Sequence, residues 1–192
     1  MSTTRPIRTK EEIKQLKNCC LNHGNFRNYV LLTLGLNTAL RISDILSLRW
    51  CDVYHFEQEH FYYELVIREQ KTKKETRIPL NRTVLLTLEH YKELEKEVCR
   101  EDYLIHPSYN RKTAISRVQA YRIIKDLSIE AGLERPISCH SLRKTFGYQA
   151  WKSGAEPVLL MSIYNHSSYS ITKRYLGIEQ EDKNKLFFKI NL

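Results

Sequence analysis

His140 and Arg143, three positions apart, have the types and spacing of residues that could handle a phosphate group. Side chains at this spacing project from one face of a helix. The guanidinium can bind a non-bridging phosphate oxygen while the imidazole moves a proton. Leu142 and Phe146, four residues apart, would anchor another face of the same helix in the core. The alternative is a solvated basic helix face, which is the commoner explanation of an isolated pair of this kind.

Two weaker signals occur elsewhere in the chain. His166, within the sequence Asn-His-Ser-Ser, is followed nine residues later by Tyr175. Arg41 opens a predicted helix of apolar residues, and a cation so close to buried surface needs a partner, which Asp44 could supply one turn later. Each signal alone also fits a structural role, since lone histidines, most tyrosines and paired arginines are usually structural.

In combination, these segments resemble the tyrosine recombinase (phage integrase) family. The sequences ALRISDILSLRW, HSLRKTFGYQ and NHSS, with a tyrosine nine residues after the histidine of NHSS, follow the family's order and spacing from Arg41 to Tyr175. The resemblance implies a site-specific DNA recombinase or integrase of the kind found in mobile elements. Such an enzyme is a DNA strand transferase that works through a covalent 3′-phosphotyrosine intermediate.

The same resemblance implies a role for each residue of the site. Tyr175 matches the nucleophile, and Asp44 matches an acidic residue that supports the first arginine. The other catalytic candidates are two arginines, two histidines and one lysine, namely Arg41, Arg143, His140, His166 and Lys71. Two departures from the family's pattern concern loop geometry rather than the reaction: Tyr164-Asn165 replaces the common Leu-Gly, and Lys144 replaces a common histidine.

Two of these assignments have competitors nearby. Lys71 lies in a polar, lysine-rich turn between two predicted strands. In an alternating strand Lys73 would share a face with Lys71 and could take its place. Tyr164 and Tyr169 are alternatives to Tyr175 as the nucleophile, although the family's spacing favours Tyr175.

The implied reaction explains why these residue types occur together. Attack of a tyrosine hydroxyl on a phosphodiester gathers negative charge on the equatorial phosphate oxygens, which two arginines can stabilise in the transition state. His140 is the candidate base for the tyrosine proton, His166 can hydrogen-bond a phosphate oxygen, and the lysine would protonate the leaving 5′-oxygen. The chain contains no GxxxxGK[ST] loop and no acidic cluster for paired magnesium ions. We therefore expect no metal, no other cofactor and no small-molecule substrate.

These motifs require secondary-structure elements that hold them together. A capping box at Thr9 and Glu12 predicts a first helix ending near Asn22. A second helix follows with four buried apolar residues, namely Phe26, Val30, Leu31 and Leu34. Amphipathic patterns predict later helices at about 41–48, 83–98, 116–132 and 140–153, with two or three shorter ones after them.

Between the third and fourth predicted helices the pattern changes to that of strands. Residues 61–67 and 76–80 are rich in β-branched and aromatic side chains, and residues 50–53 form a weaker strand signal. These segments predict a small three-stranded antiparallel sheet. We therefore expect an α+β, mostly α-helical fold, a tyrosine recombinase (DNA breaking-rejoining) catalytic domain, as a single domain over residues 1–192.

Composition favours a polyanionic partner. The chain has 31 Lys and Arg against 22 Asp and Glu, a net charge of +9, and nucleic acid is the commonest partner of such a protein. Its five cysteines form no CxxC pair, which favours reduced thiols. With neither a signal-peptide pattern nor an apolar stretch long enough for a bilayer, we expect a cytoplasmic protein that binds double-stranded DNA and no membrane.

The two ends of the chain also bear on assembly. Only about forty residues precede Arg41, so we expect the N-terminal core-binding domain of typical family members to be absent, in a chain that is either naturally short or truncated. The resemblance implies that the apolar tail, residues 185–190, packs on a neighbouring subunit of a homo-oligomer, a tetramer on DNA. The alternative is that the tail folds back on its own core.

Other functions remain open at this level. A type IB topoisomerase-like relaxing enzyme would use the same residues, and a catalytically idle DNA-binding regulator could keep only the fold. A thiol hydrolase built on Cys139 and His140 is poorly placed, because adjacent helical residues diverge by about 100°. Neither the target DNA sequence nor the outcome, whether integration, excision, inversion or dimer resolution, follows from these residues.

Overall fold

The computed structural model describes residues 4–68 and 75–190. The helices in chain order are α1 (Lys10–Asn22), α2 (Phe26–Asn37), α3 (Ile42–Ser47), α4 (Trp50–Val53), α5 (Arg82–Glu95), α6 (Arg117–Glu130), α7 (Cys139–Lys152), α8 (Pro157–Tyr164), α9 (Tyr169–Leu176) and α10 (Gln180–Lys189). The strands are β1 (Tyr54–His55), β2 (His60–Phe61), β3 (Glu64–Arg68) and β4 (Glu75–Pro79). The predicted α+β, mostly helical class is confirmed. Within the described residues, every helix is too short or too polar to cross a lipid bilayer.

The predicted start of α1 is confirmed in detail. The Thr9 hydroxyl accepts a hydrogen bond from the Glu12 N–H at 3.1 Å, and the Thr9 N–H donates to the Glu12 carboxylate at 3.2 Å. Each of these two N–H groups would otherwise lack a partner at the helix start. The helix ends at Asn22, as the sequence predicts.

Helix α2 lies at the centre of the main core. Its residues 30–36 are all buried, because α1, α5 and α7 pack around it. A Cβ atom at Gly35 would lie 2.7 Å from Leu142 Cδ1, so the lack of a side chain there lets α7 approach closely. Helix α7 carries both His140 and Arg143, and this contact therefore positions the central helix of the site.

The three-stranded sheet predicted from the sequence is wrong. Residues 50–53 form helix α4, because the Asp52 carboxylate accepts the Arg49 N–H at 2.7 Å and so caps the first turn. Trp50 is fully buried and stacks on Tyr91 at 5.5 Å between ring centroids, which accounts for the strand-like apolar signal. The described strands form two separate antiparallel pairs, β1–β2 and β3–β4.

Two boundaries also differ from the sequence prediction. The expected strand over 61–67 is divided between β2 and β3, because its two parts pair with different partners. The Tyr62 N–H donates to the Val53 carbonyl at 2.9 Å in register with β1–β2, whereas the Tyr63 carbonyl accepts the Leu80 N–H at 2.8 Å in register with β3–β4. Helix α5 ends at Glu95 rather than near residue 98, since Lys96 adopts a positive φ of 55°. Neither change moves a predicted site residue.

A second, smaller core supports the C-terminal helices. It consists of the buried residues Ala39, Leu160, Tyr164 and Leu176, with Phe146 and Tyr175 among the side chains packed against it. This cluster joins the α2–α3 turn, α7, α8 and α9, which carry or flank the predicted catalytic residues other than Lys71.

Candidate active site

The predicted arginines, histidines and nucleophile converge from four parts of the fold. Arg41 precedes α3, Arg143 and His140 lie on α7, His166 lies between α8 and α9, and Tyr175 lies near the end of α9. The ring centroid of Tyr175 is 5.2 Å from that of His166 and 5.9 Å from that of His140, both in edge-on orientations. The charges of Arg143 and Arg41 act on both Tyr175 and His166.

Arg143 is the buried centre of this group. Arg143 is only 6% exposed, and its guanidinium donates a hydrogen bond to the Ala39 carbonyl. Ala39 adopts a positive φ of 54° in the turn that leads to Arg41, so this hydrogen bond ties the two arginines together. The guanidinium also lies 4.8 Å from the Tyr164 ring centroid. A buried arginine needs such partners, and these hold its position.

Tyr175 is protonated at neutral pH in this site. Burial raises the pKa of its hydroxyl, and the charge of Arg143, a hydrogen bond from Arg143 and the charge of Arg41 oppose that rise only in part. The two arginines therefore favour the phenolate without forming it. Attack on a phosphate needs a base that removes the proton as the bond forms.

His166 is held by a neighbour on the next helix. Its Nδ1 lies 3.0 Å from the Thr172 hydroxyl oxygen, which leaves Nε2 for a ligand. Burial lowers the pKa of His166, and the charges of Arg143 and Arg41 lower it further. A bound phosphate would oppose the effect of the arginines and favour a protonated, hydrogen-bond-donating imidazole.

The two competing tyrosines have different surroundings. Tyr164 is 2% exposed, and its hydroxyl donates to the Arg143 carbonyl at 2.7 Å. Burial raises the pKa of Tyr164 strongly, so it is suited to anchoring α8 on α7 rather than to attack. Tyr169 is the first residue of α9 and lies six residues before Tyr175, a separation that turns its side chain to another side of the helix.

Of the two remaining predicted residues, Asp44 and Lys71, only Asp44 lies within the described part of the chain. Asp44 is 2% exposed in the first turn of α3, where its N–H donates to the Arg41 carbonyl at 2.9 Å. Its support of Arg41 stays a prediction. Lys71 and its alternative Lys73 lie outside the described residues, between the paired strands β3 and β4.

Two residues that contact the site were not assigned to it from the sequence. The Lys144 ammonium lies 5.1 Å from the Tyr175 ring centroid and donates to the Thr4 carbonyl at 2.6 Å. Burial lowers the pKa of Lys144. Thr172, which bonds His166, lies three residues before Tyr175 on α9. This helical spacing was a usable signal for Thr172. The sequence marked Lys144 only as a departure from the family's pattern and did not predict its contacts with Tyr175 and Thr4.

The thiol hydrolase alternative finds no support in the surroundings of Cys139. This cysteine is the first residue of α7, and burial raises the pKa of its thiol to about 11. A thiol with such a pKa is protonated at neutral pH, and the thiolate is the nucleophilic form.

Comparison with known proteins identifies the fold and the family. A model of the phage integrase family matches residues 7–182. The "Probable integrase/recombinase YoeC" of Bacillus subtilis (strain 168) is 40% identical over 190 residues, covering 99% of this chain and 98% of that protein. The tyrosine recombinase XerD of Oceanobacillus iheyensis is 30% identical over 178 residues, covering 90% of this chain and 57% of that protein. Among solved structures, the chain matches the crystal structure of the XerH site-specific recombinase bound to a palindromic difH substrate, a post-cleavage complex. The TM-score is 0.72 at 18% identity, and the match covers 95% of this chain and 52% of that chain.

The fold is thus that of tyrosine recombinase catalytic domains, which are DNA strand transferases. The chain belongs to the phage integrase family. It spans nearly the whole Bacillus relative but only slightly more than half of the XerD and XerH chains. The recombinase prediction is confirmed at the level of the family, and neither the topoisomerase-like enzyme nor the idle regulator is favoured.

Proposed function

We propose that this chain is a site-specific recombinase that cleaves and rejoins double-stranded DNA through a 3′-phosphotyrosine at Tyr175. The observation that carries the proposal is the convergence of Arg41, Arg143, His140 and His166 on this one hydroxyl-bearing ring. These residues come from distant parts of the sequence, and a purely structural tyrosine would not need two cations and two imidazoles. We further propose that they belong to one catalytic domain.

The two arginines bind the scissile phosphate and stabilise its transition state. As the Tyr175 oxygen attacks phosphorus, negative charge grows on the non-bridging oxygens. The Ala39 carbonyl fixes Arg143, and the backbone of Arg41 lies at the start of α3, so the fold itself places both arginines at the site. Preorganised charges of this kind stabilise the transition state more than the ground state, which is the requirement for catalysis.

The two histidines have separate roles, one in proton transfer and the other in phosphate binding. His140 is exposed on the first turn of α7 and takes the proton of Tyr175 during attack. His166 donates a hydrogen bond from Nε2 to a phosphate oxygen, with Thr172 fixing the ring through Nδ1. Lys71, or Lys73 in its place, protonates the 5′-oxygen that leaves. The phosphotyrosine conserves the energy of the broken ester, so the 5′-hydroxyl of another strand can displace Tyr175 and restore the DNA.

The C-terminal helix is a candidate for assembly on DNA. The start of α10 is held on its own chain, where the Tyr148 hydroxyl donates to the Asp182 carboxylate at 2.6 Å. Its far end presents Phe187, Phe188 and Ile190 at 75%, 88% and 59% exposure. Exposed aromatic residues in such a group mark a protein interface, and we propose that they pack on a neighbouring copy in a tetramer.

A covalent trapping assay tests the nucleophile. The chain is incubated with nicked duplexes made from the DNA that flanks its gene, and adducts that survive SDS are separated by electrophoresis. We expect the wild-type chain to form an adduct and Tyr175→Phe to form none. Tyr169→Phe is the matched control and keeps the adduct. An adduct that survives in Tyr175→Phe contradicts the proposal.

A further inference from the structure

The ends of helices α1 and α6 bring together three potential metal ligands outside the active site. Cys19 lies in the last turn of α1, His23 follows that helix directly, and Glu130 is the last residue of α6. One ligand atom from each residue lies within 4.8 Å of the other two. The Cys19 sulfur is 3.9 Å from Glu130 Oε2, and His23 Nε2 contacts the same carboxylate oxygen.

The local charge at this point favours a cation. Both helices end here, so the negative ends of their two dipoles meet at the same place. Neither α1 nor α6 has a basic residue in its last turn, where a lysine or arginine commonly balances that charge. Around the three ligands lies an open depression of about 440 Å³, lined also by the polar side chains of Asn18 and Asn22. Solvent and ions therefore have access to the ligands.

We propose that Cys19, His23 and Glu130 form a binding site for one Zn²⁺ ion, with water as the fourth ligand. Thiolate, imidazole and carboxylate are the ligands that Zn²⁺ takes in proteins, in tetrahedral geometry. Zinc–sulfur and zinc–oxygen bonds of about 2.3 and 2.0 Å place tetrahedral sulfur and oxygen ligands about 3.5 Å apart. The observed 3.9 Å between the Cys19 sulfur and the Glu130 oxygen is within a small side-chain movement of this value.

The zinc ion would act at the junction of helices α1 and α6. The bound ion would join α1 to α6. Helix α1 packs on α2 and helix α6 packs on α3, and α2 and α3 flank the turn that carries Arg41.

Cobalt substitution tests this site in the whole chain without DNA. Co²⁺ is added to the metal-free protein, and a thiolate charge-transfer band with tetrahedral d–d bands is followed to saturation. We expect one equivalent of Co²⁺ to give these bands, Zn²⁺ to remove them, and Cys19→Ser to lose them. Cys99→Ser, at an exposed cysteine outside the site, is the matched control and keeps them.

A second measurement guards against variants that fail to fold. Zn²⁺ should raise the thermal midpoint of the wild-type chain, because it binds the folded state. Glu130→Gln and His23→Gln lose only an exposed ion pair, so we expect both to stay close to the wild-type midpoint without metal and to show a much smaller rise with Zn²⁺. An absent cobalt–thiolate band, a band unchanged in Cys19→Ser, or an equal Zn²⁺ shift in all variants would overturn the site. Since neither readout involves DNA cleavage, these results leave the proposed recombinase function untouched.

Discussion

Gly147→Ala should disturb the active site through the packing of α8 on α7. Gly147 lies one turn after Arg143, and a Cβ atom there would be 2.5 Å from both the Tyr164 hydroxyl and Leu176 Cδ2. Both of these residues are almost completely buried, so neither can move into solvent. Ordinary contacts are about 3.5 Å, and the Tyr164 ring must therefore shift by roughly 1 Å.

The energetic effect follows from that shift. The Tyr164 hydroxyl donates to the Arg143 carbonyl at 2.7 Å, and a displacement of about 1 Å breaks this bond at a cost of about 0.5–1.5 kcal/mol. Overpacking costs about 1–3 kcal/mol, and the better helix propensity of alanine returns about 0.5–1 kcal/mol. We expect the free energy of unfolding to fall by about 0.5–4 kcal/mol. Since Tyr164 also contacts Tyr175, cleavage should slow by about 100-fold, the effect of a misplacement near 1 Å.

Chemical denaturation and the covalent trapping assay measure the two effects. Lys152→Ala, at an exposed position on the same helix, is the control and should change neither quantity. The double variant Gly147→Ala with Tyr164→Phe should lose less stability than the sum of the single variants, because the hydroxyl bond is already broken. Wild-type stability and wild-type cleavage in Gly147→Ala would refute this reasoning.

Three further predictions concern other parts of the molecule. Thr172→Val removes the hydrogen-bonding partner of His166, so single-turnover cleavage should fall about tenfold while DNA binding in a gel-shift assay is unchanged. Thr172→Ser should keep the wild-type rate. Equal cleavage rates in the wild type and both variants would contradict this role of Thr172. Burial raises the pKa of Asp102, but the hydrogen bonds from Lys112 and the Cys99 N–H, together with the charges of Lys112 and Arg111, outweigh this and leave the pKa below its usual range. The carboxylate therefore stabilises the fold above about pH 4, and the stability gap between wild type and Asp102→Asn, measured by denaturation, should close as the pH falls through the lowered pKa; a gap independent of pH would argue against it. Phe188→Ser should reduce assembly on two-site DNA, measured by light scattering, without reducing cleavage of a single site, and unchanged assembly would count against the proposed contact.

Features that depend on neighbouring residues in the chain could be predicted well. The capping box at Thr9 and the helical pair His140 and Arg143 are local patterns, and both lie on helices in the structure. The resemblance to the family also led to Tyr175, which no local pattern would have distinguished from the other tyrosines.

Features that depend on long-range packing could not be predicted. The apolar signal at Trp50 comes from burial against Tyr91, and a cap from Asp52 makes this segment helical instead of extended. The fit of Gly147 against Tyr164 exists only once α7 and α8 are packed together. Helical and strand propensities are weak compared with such tertiary contacts.

The most direct test of the account is to identify the amino acid that carries the DNA. The trapped adduct is digested with protease and nuclease, and the nucleotide-linked peptide is sequenced by mass spectrometry. We predict that the nucleotide is joined through its 3′-phosphate to Tyr175, with a free 5′-hydroxyl on the released strand. A nucleotide on Tyr164 or Tyr169, or a linkage through a 5′-phosphate, would contradict the proposed mechanism.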